Sequence, residues 1–110
     1  MLRLATCVVI VGLAGTASTA AQGAAARGEA VFAAQKCGLC HSIAGKGNPK
    51  GALEEPVSTL SADEIRSWIT DAKGMTAKTK ATRKPAMKEF ALPKDEVDAL
   101  VAYLSSLKKK

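Results

Sequence analysis

Apolar positions recur at helical spacing in three stretches of this chain, and no stretch shows the sustained alternation that marks a strand. The clearest of the three lies in the middle. Ile65, Trp68, Ile69 and Ala72 follow at i, i+3, i+4 and i+7, which puts them on one face of a helix and makes Trp68 a core residue. Ser61-Ala62-Asp63-Glu64 precedes that face as a capping box, with Ser61 as N-cap and Glu64 at N3, while Leu60 and Ile65 form a hydrophobic staple around it. Lys73-Gly74 reads as the end, a basic last turn followed by a C′ glycine. A later helix is expected from about Pro93, a residue suited to a first helical turn. Its stripe is Val97, Leu100, Val101, Leu104 and Leu107, with Tyr103 at the margin. Asp95, Glu96 and Asp98 near its start and Lys108 to Lys110 after its end both suit the helix dipole.

The first helix runs from about Ala26 towards Cys37, with Val31, Ala34 and Phe32 on its inner side. Gly28 in its first turns weakens a helix by up to ~1 kcal/mol against alanine, a cost that a close helix–helix approach would justify. Two segments between the helices lack periodicity. Residues 42–59 hold Gly45, Gly47, Pro49, Gly51 and Pro56, with Asn48-Pro49-Lys50-Gly51 as a turn. Residues 75–92 are basic and irregular, and loops of that length in a small domain usually have a task, such as wrapping a cofactor.

The first 20 residues have a different character. Arg3 is a short positive region, Leu4 to Ala14 is apolar, and Ser18-Thr19-Ala20 is a small-residue cleavage site. An apolar run of about 11 residues falls short of the ~20 that span a bilayer, so residues 1–20 read as a cleaved signal peptide. Cys7 then goes with the discarded leader and is neither a ligand nor a lipid site. Residues 21–110 remain as one domain with no internal repeat, exported and without stable membrane insertion. A domain of that size buries only roughly 60–65% of its unfolded surface. Phe32, Trp68, Phe90 and Tyr103 are the only aromatics available to fill it. A large apolar prosthetic group would complete such an interior.

Cys37-Gly38-Leu39-Cys40-His41 supplies the means of holding one. C-x-x-C-H is the pattern of covalent haem attachment. Two thiols three residues apart on a helical turn can each add to one vinyl group, and the adjacent imidazole is carried beneath the ring as the proximal iron ligand. A structural zinc would lack ligands, since Cys7 is the only further cysteine and His41 the only histidine. A thioredoxin-like site needs a βαβ setting that the pattern does not offer. A bare disulfide, compatible with export, is the remaining rival.

Three groups of residues carry a family likeness. They are Gly28-Glu29-Ala30-Val31-Phe32 ahead of the motif, Lys84-Pro85-Ala86-Met87, and Leu100-Val101-Ala102-Tyr103-Leu104. On them the chain resembles the class I monohaem bacterial cytochromes c over the whole of residues 21–110. The resemblance implies an all-α, small cytochrome c fold: three main helices and long loops wrapped around one covalently attached haem c. It also implies that the first and last helices cross, with Gly28 and Phe32 against Leu100 and Tyr103. For the distal iron position, the residues alone leave Met75, Met87, a lysine or an open site. The family's placement of its axial methionine implies Met87. One departure stands out, because the Gly-Pro-x-Leu segment whose carbonyl holds the proximal imidazole in the family has no good counterpart here. Asn48-Pro49-Lys50-Gly51 and Glu55-Pro56-Val57 are the nearest stretches.

Methionine–histidine ligation fills both axial positions, which suits single-electron relay and leaves no substrate site. The resemblance therefore implies a periplasmic electron carrier in a respiratory chain and not an enzyme. Two alternatives are an electron-entry haem subunit of a larger periplasmic oxidoreductase and an open-site haem protein that binds a small gas. The chain has 16 basic and 10 acidic residues, and loss of the leader removes only Arg3 and leaves a net charge of +5. Lys78, Lys80, Arg83, Lys84 and Lys88 crowd the segment around Met87, where they would steer redox partners with acidic docking patches. No nucleic-acid-binding motif accompanies the charge, and a monomer is the simplest assembly.

Overall fold

The computed structural model describes Gly12 and residues 19–108. The expected leader thus lies outside the described residues apart from Gly12 and from Thr19 and Ala20, which open the first helix. Five α-helices follow in order: α1 (Thr19–Ala34), α2 (Glu54–Thr59), α3 (Ala62–Thr70), α4 (Ala72–Thr79) and α5 (Lys94–Ser105). Short 3₁₀ turns at Cys37–Leu39 and Pro49–Gly51 and a hairpin of two-residue strands complete the regular structure of the described residues. The all-α class holds, with two short helices added to the three expected ones.

Helices α1 and α5 cross at Gly28. A Cβ there would collide with the Ala99 carbonyl and Tyr103 Cβ, so the glycine permits the two backbones to touch. Phe32 meets Tyr103 edge-on beside the crossing, with ring centroids 6.0 Å apart at 72°. Val97, Leu100, Val101 and Leu104 of α5 bury against Ile65 and Ile69 of α3, with Val57 of α2 and Ile43. Arg66 of α3 and Lys94 of α5 both pair with Asp98, at 2.7 and 2.8 Å. Those exposed pairs draw the Asp98 carboxyl below its ordinary range, chiefly through the hydrogen bonds from Lys94 and Arg66.

The capping box of α3 is formed at both ends: Glu64 N–H donates to Ser61 Oγ, and Ser61 N–H to Glu64 Oε1, each at 3.1 Å. Leu60 packs on the cluster with Ile65, as a staple requires. The far end differs from expectation. Helix α3 stops at Thr70, Asp71 caps a new helix by accepting from Gly74 N–H, and Gly74 lies inside α4 instead of ending α3. Asp71 is both the last cap and the next N-cap, and a single residue with non-helical φ and ψ breaks the run. Met75 consequently sits in a helix with Ala72, and both are buried. Trp68 is half-buried and stands outside the buried cluster.

The segment 42–59 is also more ordered than its glycines and prolines imply. Ser42–Ile43 pairs antiparallel with Lys46–Gly47, and the link is a two-residue turn with positive φ at Ala44 and Gly45. Helix α2 begins with two glutamates at the positive end of its dipole, and Pro56 falls in the first turn, where its missing N–H has no intrahelical partner. Six residues are too few for a periodic signal.

Candidate functional site

Helix α1 ends at Ala34, and Lys36 takes a left-handed conformation (φ 57°) that turns the chain into the short 3₁₀ turn at Cys37. The amides of Cys40 and His41 both fold back on the Cys37 carbonyl, at 3.1 and 2.9 Å. Cys37 is half-buried and Cys40 exposed, and both are free thiols, not a disulfide. Burial pushes the Cys37 thiol up, with its backbone hydrogen bond and the nearby Lys88 ammonium working in the opposite direction. Leu39, between them, is 72% exposed, an outlier for a leucine in a domain this small. Beside it lies an open hollow of about 360 Å³ lined by Phe32, Ala33, Gly38 and Gly47, with Lys36 and Lys46 at its rim.

His41 is half-buried, and its Nδ1 lies 3.0 Å from the Gly51 carbonyl. A carbonyl can only accept, so the proton is on Nδ1 and Nε2 is left with its lone pair free to bind a metal. Burial lowers the pKa of the imidazole, opposed by the Gly51 bond and aided by the Arg83 charge. Gly51 is thus the acceptor that the sequence left unassigned, supplied by the 3₁₀ turn at Pro49–Gly51. A backbone carbonyl carries no side-chain signal, and only the likeness of Asn48-Pro49-Lys50-Gly51 to the family segment hinted at it. The loop is set from several directions. Asn48 N–H donates to the Gly38 and His41 carbonyls, and Asn48 side-chain atoms reach Leu39 O and Lys50 N–H. Gly47, at φ 109°, leaves no room for a Cβ against the His41 carbonyl.

Residues 81–93 carry no regular structure, and within them Met87 is half-buried. Two observations bring this segment to the motif. Arg83 Nη2 donates to the Cys40 carbonyl at 2.5 Å, and the Lys88 charge is close enough to act on the Cys37 thiol. Arg83, counted in the sequence with a solvent-facing rim, is therefore engaged with the backbone. Lys78, Lys80, Lys84 and Lys88 are exposed as expected, and Lys88 also lies 5.2 Å from the centre of the Phe90 ring.

The donor set fits an iron porphyrin held through sulfur: two free thiols three residues apart in sequence and one imidazole whose Nε2 is left as an acceptor. The interior fits it too. No large side chain is fully buried among the described residues, and Leu53, Leu60, Phe90 and Leu92 remain half-buried around the core. Among the described residues no three His, Cys, Asp or Glu side chains converge as a metal cage would, and no helix is long and apolar enough to cross a membrane.

The family model for cytochrome c matches residues 25–108. Comparison with curated proteins and with solved structures gives no significant match. The chain belongs to the cytochrome c family, with the covalently bound haem c and the haem-based electron transfer that membership implies.

Proposed function

We propose that this member of the family is a periplasmic single-electron carrier whose haem c is tied to Cys37 and Cys40 by thioethers, with His41 as proximal and Met87 as distal iron ligand. The observation that carries the reading is the Gly51 carbonyl on His41 Nδ1, which fixes the tautomer and presents Nε2 as the ligating atom. The bound group would supply the one-electron change between ferrous and ferric iron. Everything else falls to the chain. Cys37 and Cys40 would hold the group through their sulfurs, each thiol adding as a whole, sulfur and hydrogen, across one vinyl double bond. Met87 offers a soft thioether from a segment already folded back on the motif. His41 and Met87 would hold the group in both of its oxidation states, so neither residue need be exchanged.

Export rests on residues 1–20, whose composition is that of a cleaved leader. Partners with acidic docking patches are favoured by the exposed Lys78, Lys80, Lys84 and Lys88, continued around Leu39 by Lys36 and Lys46. Spectroscopy on protein matured in a host that attaches haem tests the assignment. The reduced protein is expected to leave carbon monoxide unbound, and Met87→Ala to bind it. Immediate carbon monoxide binding by the unmodified protein would instead identify an open-site gas-binding protein.

A further inference from the structure

The segment that carries Met87 is bound to the rest of the domain by few hydrogen bonds. Ala81 N–H reaches the Thr76 carbonyl, Phe90 N–H the Ile69 carbonyl at 3.0 Å, and Glu89 accepts from Lys73 N–H at 3.3 Å. All three run to α3 or α4. Among the described residues the one hydrogen bond from this segment to residues 37–51 is that of Arg83 to the Cys40 carbonyl, which spans 43 positions of sequence. The same guanidinium lies against Gly51, where its Nη1 and the Cys40 carbonyl occupy the space a Cβ would need. One planar group therefore touches the peptide that joins Cys40 to His41 and the residue whose carbonyl holds His41 Nδ1.

We propose that Arg83 is a positioning residue that straps the Met87 segment to the Cys40–His41 peptide and to Gly51, holding the segments of the two axial ligands as one unit. This rests on the assignment of His41 and Met87 as ligands. The residue type suits the task. A guanidinium is a rigid fork that can donate through one nitrogen while the other lies against Gly51, and its charge strengthens the bond to a neutral carbonyl. Lysine offers the charge without the fork. The side chains of neighbouring Lys80 and Lys84 are exposed and make no hydrogen bond or ion pair among the described residues, so the position of Arg83, not its charge alone, is what sets it apart.

A slackened strap frees Met87 to leave the iron and lets an outside ligand compete. The test uses full-length holoprotein in the ferric state, with imidazole as the competing ligand. The far-red sulfur-to-iron band marks Met87 ligation, which Met87→Ala should abolish. Imidazole affinity is expected to rise about tenfold in Arg83→Gln, the effect of one charge-assisted hydrogen bond. It should rise less in Arg83→Lys and stay unchanged in Lys84→Gln, which removes the same charge one residue away. Should Arg83→Gln fail to mature, Arg83→Lys alone must still exceed Lys84→Gln. Equal affinities in the Arg83 and Lys84 variants, with the band intact in the unmodified protein, would overturn the strap while leaving the Met87 assignment in place. Absence of the band in the unmodified protein would overturn both.

Discussion

The stretch 37–53 and the stretch 81–93 face the same site and are built on opposite plans. In the first, bonds are local and dense. Asn48 N–H is shared between the Gly38 and His41 carbonyls, Leu53 N–H reaches the Ser42 carbonyl, and Gly51 returns to His41. Ser42, Ile43 and Gly51 are buried, so the geometry around His41 is closed by neighbours within about fifteen residues. In the second, most residues are exposed, with Met87, Phe90 and Leu92 half-buried, and the backbone is held by a few bonds to distant elements. The difference teaches where each kind of information resides. Orientation of the imidazole is stored in local backbone, whereas placement of the methionine depends on packing of the finished domain.

Substitutions on the two sides should therefore differ in kind. The largest expected effect is at Gly51. In Gly51→Val the side chain must enter space held by the Cys40 carbonyl and the Arg83 guanidinium, and neither the backbone nor the bonded arginine can give way without loss. Denaturant unfolding of the holoprotein should show a cost of about 3 kcal/mol. An unchanged midpoint would mean that the proximal side is looser than its bonds indicate. Asn48→Ala comes next. It removes the cap on Lys50 N–H and the bond to Leu39 O, both solvent-exposed, and about 1 kcal/mol is expected by the same measurement. The smallest change in stability is expected on the other side, for Lys80→Gln combined with Lys84→Gln, within roughly 0.5 kcal/mol of the unmodified protein. Those lysines act at a distance instead. The rate of electron transfer to an acidic partner at low ionic strength should fall severalfold, and its salt dependence should flatten. A loss of stability with no change in rate would reverse the contrast between the two segments.

The same contrast explains what could be read from the residues. Where a side chain makes the structure, the sequence is explicit. Ser61 and Glu64 announce the start of α3, and Gly28 with Phe32 announces the crossing onto Tyr103. Cys37, Cys40 and His41 are as legible, because their chemistry depends on spacing along one turn. Gly51 as the acceptor for His41 was not, since it acts through a carbonyl that every residue possesses. Helix α4 was missed because Lys73-Gly74 has the chemistry of a helix end, while Asp71 three residues earlier restarts the helix by capping the Gly74 amide. Arg83 looked like one more lysine-type charge in a basic run, and only the folded chain shows its side chain turned to the Cys40 carbonyl.

The crossing of α1 on α5 also has a bearing on the order in which the molecule is assembled. Gly28 meets residues near position 100, so the face of α1 that carries it is covered by a helix from the other end of the described residues. Loop closure over that distance is among the slower events in the folding of a small domain. Until it happens Gly28 and Phe32 lack the Ala99 and Tyr103 partners they meet in the finished fold, so the helix that leads into Cys37 waits on α5 to be braced.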